Sequence, residues 1–218
     1  MASGPIYIPD GKSIFPIGKF AIPQHYSGYL DDILIPHGLI SDRIEKMARE
    51  VHSDYQGKKL HTLCVLKGGD RVFSALSKFI EGFNSSSQGL SIPMTYDSIR
   101  AQSYQNERST GIVNLMGSLE DMNGRHVLVI EDIVDTGKTI KRLTDEILKF
   151  GPASVKVLSL LLKRTPKWNG FTPDYCGFSM PDEFVVGYCL DYNEHFRDLH
   201  HICILNEKGK EEFKQSSS

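Results

Sequence analysis

The chain lacks the features that mark membrane, secreted and nucleic-acid-binding proteins. Its longest apolar runs, such as 157–162, have the length of a strand and fall far short of the roughly 20 residues that cross a bilayer. The first residues carry prolines and glycines in place of the apolar core of a secretion signal. A net charge of −2 gives no strong field for nucleic acid or an anionic membrane. These absences predict a cytoplasmic protein.

Cysteine is scarce, and internal repeats and low-complexity blocks are missing apart from a short serine run at 85–87. Without a C-x-x-C pair, reduced core thiols are favoured over disulfides or a metal site. His200 and His201 would point to opposite faces of a strand, which disfavours zinc. The chain of 218 residues, with 40% apolar content, is long enough for one sizeable α/β core. The four cysteines are Cys64, Cys176, Cys189 and Cys203.

Apolar periodicity predicts strands that alternate with helices. Asp42 and Glu45 are spaced like a helix N-cap and its partner. Such alternation implies a parallel sheet covered on both faces, whose ligands bind beyond the carboxyl ends of the strands. The predicted strands are Leu60–Leu66, Ile92–Ile99, Val127–Ile130, Val155–Leu162 and Phe184–Leu190, and the predicted helices are Ile40–Val51, Val72–Phe83 and Ile140–Phe150.

Residues 127–139 are the most informative stretch. Four apolar residues lead directly into Glu131 and Asp132, and Asp135 then opens a loop of small residues. Because unpaired charge is costly at the end of a buried strand, three acids in five residues indicate a ligand site. The acids would accept hydrogen bonds from sugar hydroxyls or hold Mg²⁺. The loop begins a predicted helix, where backbone N–H groups and the dipole favour a phosphate. Its residues are Thr136, Gly137, Lys138 and Thr139.

The end of this loop resembles a P-loop, but that motif requires glycine where this chain has Asp132. Val129–Thr139 instead resembles the phosphoribosyl diphosphate (PRPP) signature of type I phosphoribosyltransferases. The resemblance implies that Glu131 and Asp132 hold the ribose hydroxyls and a metal ion. It also implies that residues 136–139 hold the 5′-phosphate and that Asp135 is the catalytic acid–base.

Two further segments resemble hypoxanthine-guanine phosphoribosyltransferases. Lys67 and Gly68 match that family's pyrophosphate loop, in which the peptide before the lysine is often cis. The polar stretch 100–111 is a surface loop by composition alone. Its Ser103 and Tyr104 nevertheless match the family's mobile lid, although Ala101-Gln102 replaces the more usual Leu-Lys.

The last segments match the family's purine site. Lys163 ends a predicted strand, and the resemblance makes it the donor to the purine 6-oxo group, a contact that rejects adenine. Within residues 184–199, Phe184 would stack on the purine, and the backbone of Val185 would read its edge. In the same stretch, Asp191 would hold a second Mg²⁺ and Arg197 would grip pyrophosphate.

The resemblance covers roughly residues 22–210. It implies the α/β type I phosphoribosyltransferase fold, a mostly parallel central sheet flanked by helices. The chain would form one domain, with a core at about 38–182 and a small hood from 1–37 and 183–218. The implied enzyme of purine salvage transfers phosphoribosyl from PRPP to N9 of hypoxanthine or guanine, with two Mg²⁺ ions, as a homodimer or homotetramer. The alternatives are a PRPP- or nucleotide-sensing regulator of the same fold and a xanthine- or adenine-preferring enzyme.

Overall fold

A computed structural model describes residues 3–11, 13, 15–86, 91–100 and 122–215. Over these residues the chain forms ten strands and four α-helices, together with two short 3-10 helices at Ile17–Lys19 and Gln24–Tyr26. The strands are β1 Ile6–Tyr7, β2 Phe15–Pro16, β3 Leu30–Ile35, β4 Leu60–Leu66, β5 Met94–Arg100, β6 His126–Val134, β7 Ser154–Lys163, β8 Tyr175–Met180, β9 Val185–Val186 and β10 Ile202–Leu205. The α-helices are α1 His37–Asp54, α2 Asp70–Ser86, α3 Lys138–Leu148 and α4 Glu207–Glu212.

Six strands form a parallel main sheet in the order β1-β8-β7-β6-β4-β5. The apolar run of β6 is buried because both faces of the sheet are covered. Leu128 and Ile130 pack with the inner faces of α1 and α2 on one side. Val127 and Val129 pack with α3 on the other side. Because β4 and β7 flank β6, the loops that follow these three strands meet at one edge of the sheet.

A second sheet, which we call the hood, contains β2, β3, β10 and β9 in an antiparallel arrangement. Its own small core includes a stacked pair of rings, Tyr26 and Phe196, whose centroids are 4.3 Å apart. The Tyr26 hydroxyl also donates a hydrogen bond to Asp198 Oδ1 at 2.7 Å. The sequence prediction assigned residues 1–37 to the hood, but β1 pairs with β8 and extends the main sheet instead.

The structure corrects two predictions of local structure. The predicted strand Phe184–Leu190 is wrong beyond Val185–Val186, because the chain turns at Gly187, which has φ +97°. A Cβ at that position would lie 2.0 Å from the carbonyl oxygen of His201. Asp42 does not cap a helix, since α1 already begins at His37.

One other prediction is confirmed, since the Leu66–Lys67 peptide is cis. All four cysteines are free thiols. Within the described chain, none of the helices combines the length and the apolar character needed to cross a bilayer.

Candidate active site

Two adjacent carboxylates lie near the end of the central strand β6. Glu131 and Asp132 are both half-buried, and Asp132 Oδ1 accepts a hydrogen bond from the backbone N–H of Ile133 at 2.8 Å. Burial raises the pKa of Glu131 well above its ordinary value, and the neighbouring Asp132 carboxylate raises it further. Crowding two acids in this way costs stability, and such perturbed groups cluster at functional sites. Glu131 and Asp132 therefore lie side by side near the carboxyl end of β6.

The turn after β4 packs directly against these acids. A Cβ on Gly68 would lie 1.7 Å from Asp132 Oδ2. A Cβ on Gly69 would lie 2.7 Å from the carbonyl oxygen of Val65 and 2.8 Å from that of Ile130. The two glycines therefore allow the turn that carries Lys67 to approach the end of β6.

The loop from Asp135 to Thr139 joins β6 to α3 and lines a cavity of about 90 Å³. Gly137 precedes the helix in a left-handed conformation, with φ +78°, which glycine adopts without steric cost. The Lys138 side chain is exposed, and its backbone N–H faces Thr136 Oγ1 at 3.5 Å. The cavity lies at the start of a helix, where free N–H groups favour an anion. Its lining residues are Glu131, Ile133, Val134, Asp135, Thr136, Gly137, Thr139 and Ile140.

A neighbouring loop supports this turn. The backbone N–H of Asn169 donates to the carbonyl oxygen of Thr136 at 3.0 Å. A Cβ on Gly137 would lie 2.1 Å from Asn169 Oδ1. The connection between β7 and β8 therefore fixes the shape of the loop from Asp135 to Thr139. No sequence motif indicated this role for Asn169.

Lys163, at the end of β7, reaches the same site. Its Nζ lies 3.7 Å from Asp135 Oδ2 and 3.8 Å from Asp182 Oδ1. The Lys163 side chain is 12% exposed, whereas that of Asp135 is 54% exposed. A nearly buried ammonium group thus faces an accessible carboxylate, next to the cavity. Sequence reasoning predicted Lys163 and Asp135 but missed Asp182.

A second group of charges lies in the turns after β9. Arg197 Nη2 is 2.7 Å from Asp191 Oδ1 and 3.3 Å from Glu194 Oε1, and its Nη1 donates to the carbonyl oxygen of Cys189 at 2.7 Å. Lys67 forms an ion pair with Glu194. The structure thereby brings together the predicted residues Lys67, Asp191 and Arg197. Glu194 was missed because no motif distinguishes it from a solvated acid.

Phe184 directly precedes the hood strand β9, which begins at Val185. The Phe184 ring is 42% exposed, and its centroid is 5.5 Å from that of Tyr192 in an edge-on arrangement. Val185 is buried and pairs in register with Ile204. An exposed aromatic face held by a rigid strand suits stacking on a planar base. The predicted lid residues, Ser103 and Tyr104, lie outside the described residues.

The donor set can be compared with the needs of Mg²⁺. Among the described residues, no group of three or more histidines, cysteines or acids is arranged to hold a metal ion. Mg²⁺ in enzymes is usually held by one or two carboxylates together with substrate phosphates and water. The acid pair on β6 and Asp191 are hard oxygen donors of this kind, so they fit Mg²⁺ that arrives with a phosphorylated substrate.

Comparison with known proteins agrees with this geometry. The sequence profile of the phosphoribosyl transferase domain matches residues 32–193. The chain belongs to the phosphoribosyltransferase family. It is 47% identical over 211 residues to the hypoxanthine-guanine phosphoribosyltransferases of Canis lupus familiaris and Homo sapiens, covering 96% of this chain and 96% of each relative.

A solved relative extends the agreement to the fold. The hypoxanthine-guanine phosphoribosyltransferase of Schistosoma mansoni, crystallised in complex with IMP, superposes with a TM-score of 0.81. It is 38% identical in sequence, and the match covers 97% of this chain and 100% of that chain. The predicted type I fold, a mostly parallel sheet flanked by helices, is therefore confirmed for this member of the family.

Proposed function

We propose that this chain is a purine salvage enzyme that transfers the 5-phosphoribosyl group of PRPP to N9 of hypoxanthine or guanine. The products are IMP or GMP and pyrophosphate. The observation that carries this proposal is the 3.7 Å distance between Lys163 Nζ and Asp135 Oδ2, beside the cavity lined by the loop from Asp135 to Thr139. In its N7–H tautomer a free oxopurine presents the O6 acceptor and the N7–H donor on one edge, so an ammonium and a carboxylate side by side can bind both.

PRPP would lie across the end of β6. Its ribose hydroxyls donate to Glu131 and Asp132, and its 5′-phosphate accepts from the N–H groups and hydroxyls of residues 136–139. Its diphosphate lies against Arg197 and the Lys67–Gly68 turn. The absence of a side chain on Gly68 lets this turn approach Asp132. This placement is supported by the convergence of the three loops at one sheet edge.

The transfer breaks the bond between C1′ and the pyrophosphate oxygen, and pyrophosphate leaves with the electron pair. N9 of the purine donates its lone pair to C1′, while positive charge builds on the ribose ring. With the base bound as its N7–H tautomer, N9 carries the free lone pair, and the Asp135 carboxylate accepts the proton that N7 gives up. A general base of this kind contributes about 10²- to 10⁴-fold to the rate.

Mg²⁺ fits two positions in this scheme. Glu131 and Asp132 would hold one ion through its water ligands, and Asp191 would hold a second. Bound there, Mg²⁺ neutralises charge on the departing pyrophosphate. The carboxylates alone repel a diphosphate, so the acid pair on β6 supports a metal-dependent reaction.

Base choice follows from the same contacts. Lys163 Nζ has hydrogens to donate to O6 but no lone pair to accept from the 6-amino group of adenine. Adenine would place the hydrogens of its amino group against those of a nearly buried ammonium, which is costly. Phe184 would stack on the ring and the backbone of Val185 would contact its edge.

The larger organisation of the enzyme is also a proposal. We propose one domain, with a core at about residues 38–182 and a hood from the two ends of the chain. We further propose a cytoplasmic homodimer or homotetramer, as the family resemblance implies.

Nucleotide formation from each purine base tests the function. With PRPP and Mg²⁺, we expect IMP from hypoxanthine and GMP from guanine, no product without Mg²⁺, and no AMP from adenine. Product from xanthine or adenine alone would assign the chain to the alternative enzyme. No product from any base, together with specific RNA binding, would instead identify a nucleotide-sensing regulator.

The role of Asp135 has its own test. Asp135→Asn should lower kcat by about 10²- to 10⁴-fold, because the amide cannot take the base proton, while IMP binding persists. Asp145→Asn is the matched control, since Asp145 is an exposed acid on α3 that pairs with Lys141 at 2.6 Å. Nearly normal turnover in the Asp135 variant would remove this residue from the mechanism.

A further inference from the structure

The Glu194 carboxylate pairs with both of the cations that are proposed to bind pyrophosphate. Lys67 Nζ pairs with Glu194 Oε2, and Arg197 Nη2 lies 3.3 Å from Glu194 Oε1. The two oxygens of Glu194 thus bridge a lysine and an arginine from separate parts of the chain. We infer that Glu194 is a positioning residue that pairs with Lys67 and Arg197 and competes with pyrophosphate for both cations. This inference rests on the proposed function, which places pyrophosphate at those two cations.

The backbone holds Glu194 in this position. Its φ is +70°, a left-handed conformation that is uncommon for residues other than glycine, and Asn193 and Phe196 share it with φ of +50° and +71°. The backbone N–H of Glu194 donates to Asp191 Oδ2 at 2.8 Å. The turn therefore directs the carboxylate toward the two cations. Its side chain is 59% exposed, so it has room to rotate into solvent when another anion arrives.

Arg197 does not depend on Glu194 for its place. Asp191 Oδ1 lies 2.7 Å from Arg197 Nη2, and the carbonyl oxygen of Cys189 accepts from Nη1 at 2.7 Å. The main chain of Lys67 is held separately, since its carbonyl oxygen accepts from Cys189 Sγ at 3.3 Å. Removing the charge of Glu194 would thus leave the guanidinium and the Lys67 turn in position, while freeing the lysine ammonium.

The positive and negative charges in this group of side chains are equal in number. Lys67 and Arg197 carry two positive charges, and Asp191 and Glu194 carry two negative ones. The pKa of Glu194 is lowered by its hydrogen bond with Lys67 and by that with Arg197, so its carboxylate stays ionised. In the proposed complex, Asp191 would help to hold Mg²⁺, and the diphosphate would pair with both Lys67 and Arg197. Glu194 would then be the displaced anion. Its return would favour release of pyrophosphate.

The test measures pyrophosphate binding without turnover. Calorimetry with pyrophosphate and Mg²⁺ at fixed ionic strength should give a Kd that is roughly three- to tenfold lower for Glu194→Gln than for the unmodified chain. The Km for PRPP should fall in the same direction, while kcat does not rise. Glu194→Asp restores the charge and should recover the weaker binding. Glu146→Gln, which neutralises an exposed acid paired with Lys149 on α3, should change neither value.

A second variant guards against misfolding. Glu194→Gly removes the charge and accepts the left-handed backbone readily, so it should fold and also bind pyrophosphate more tightly. Unchanged or weaker pyrophosphate binding in both charge-removing variants would overturn the inference. The proposed function would survive that result if the unmodified chain still formed IMP. Absence of IMP and GMP formation by the unmodified chain would instead refute the proposed function itself.

Discussion

Among single residues, Gly68 and Gly69 are adjacent but are constrained by different parts of the molecule. A Cβ on Gly68 would meet the carboxylate of Asp132, the movable end of a side chain, at 1.7 Å. A Cβ on Gly69 would meet the backbone carbonyl oxygens of Val65 and Ile130, which cannot move without the strands. The geometry of the site therefore requires glycine at position 68, whereas the packing of β4 against β6 requires glycine at position 69.

We expect Gly68→Ala to raise the Km for PRPP by roughly tenfold, the equivalent of one charged hydrogen bond, because the new methyl displaces the Asp132 carboxylate. The free energy of unfolding should change little. Gly82→Ala is the matched control, since nothing lies within 4 Å of its Cβ position in α2. That control should gain about 0.5–1 kcal/mol in helix stability at unchanged Km. Steady-state kinetics and urea unfolding measure both, and a strongly destabilised but kinetically normal Gly68 variant would contradict this account.

The residues that sequence reasoning found and missed differ in how they act. Glu131, Asp132 and Asp135 were predictable because acids at the end of an apolar strand conflict with burial unless a ligand explains them. The positions of Glu194 and Asn169 matter because of contacts with residues far away in the chain, Lys67 for Glu194 and Thr136 for Asn169. No local spacing distinguishes them from ordinary polar loop residues, so only the folded arrangement reveals their roles.

At the scale of elements, Asp54 fastens the end of α1 to two strands of the main sheet. It accepts a hydrogen bond from the Tyr175 hydroxyl at 2.6 Å and from Lys156 Nζ at 3.0 Å. Tyr175 begins β8 and Lys156 lies in β7, so one carboxylate joins three elements. The hydrogen bond from Tyr175 lowers the pKa of Asp54 below its ordinary value of 3.8, with a further contribution from Lys156.

A lowered pKa in the folded state means that folding favours the ionised form. The stabilisation is then complete above the ordinary pKa of 3.8 and is lost as the pH falls through the lowered value. Asp54→Asn should lower the free energy of unfolding by about 1 kcal/mol at pH 7, a value discounted for solvent exposure. This difference from the unmodified chain should shrink between pH 4 and pH 2. Urea unfolding at several pH values measures it, and a gap that widens in acid would contradict the sign.

The strength of the sequence signal explains which elements were predictable. β4, β6 and β7 each contain a buried, mainly apolar run, so the sequence located all three strands. The prediction for β6 ended at Ile130, whereas the strand continues to Val134. Most hood strands are short and end in turns, and β9 has only two residues. The predicted strand over 184–190 failed because Gly187 turns the chain beside β10, a contact that depends on residues following β9.

Across the whole molecule, Arg43 ties the beginning of the chain to the main sheet. This buried arginine of α1 donates to the carbonyl oxygens of Cys176 at 2.7 Å, Gly177 at 3.0 Å and Gly4 at 2.8 Å. It also reaches Ser3 Oγ at 3.1 Å. These bonds hold the segment before the edge strand β1 against its neighbour β8.

We expect Arg43→Met to lower the free energy of unfolding by roughly 2–4 kcal/mol, because several carbonyl groups lose a charged donor. The Km for PRPP should stay the same, since the change lies away from the carboxyl ends of β4 and β6. Arg49 lies on the same helix but is exposed, where it pairs with Glu45 and lies over the Phe83 ring. Arg49→Met should cost less than about 1 kcal/mol. Denaturant unfolding of both variants measures the difference, and equal losses would argue against the proposed tie.

The connection from β7 to β8 begins beside the lysine that would read the base and, a few residues later, supplies Asn169 beneath Gly137. This short connection would therefore affect both the base and the 5′-phosphate of a bound nucleotide. Redesigning its length to alter base preference would also loosen the grip on the sugar phosphate. Base preference is better altered from the other side of the purine ring, at Phe184 and Val185. Val185 lies in β9 of the hood, which is separate from the connection between β7 and β8.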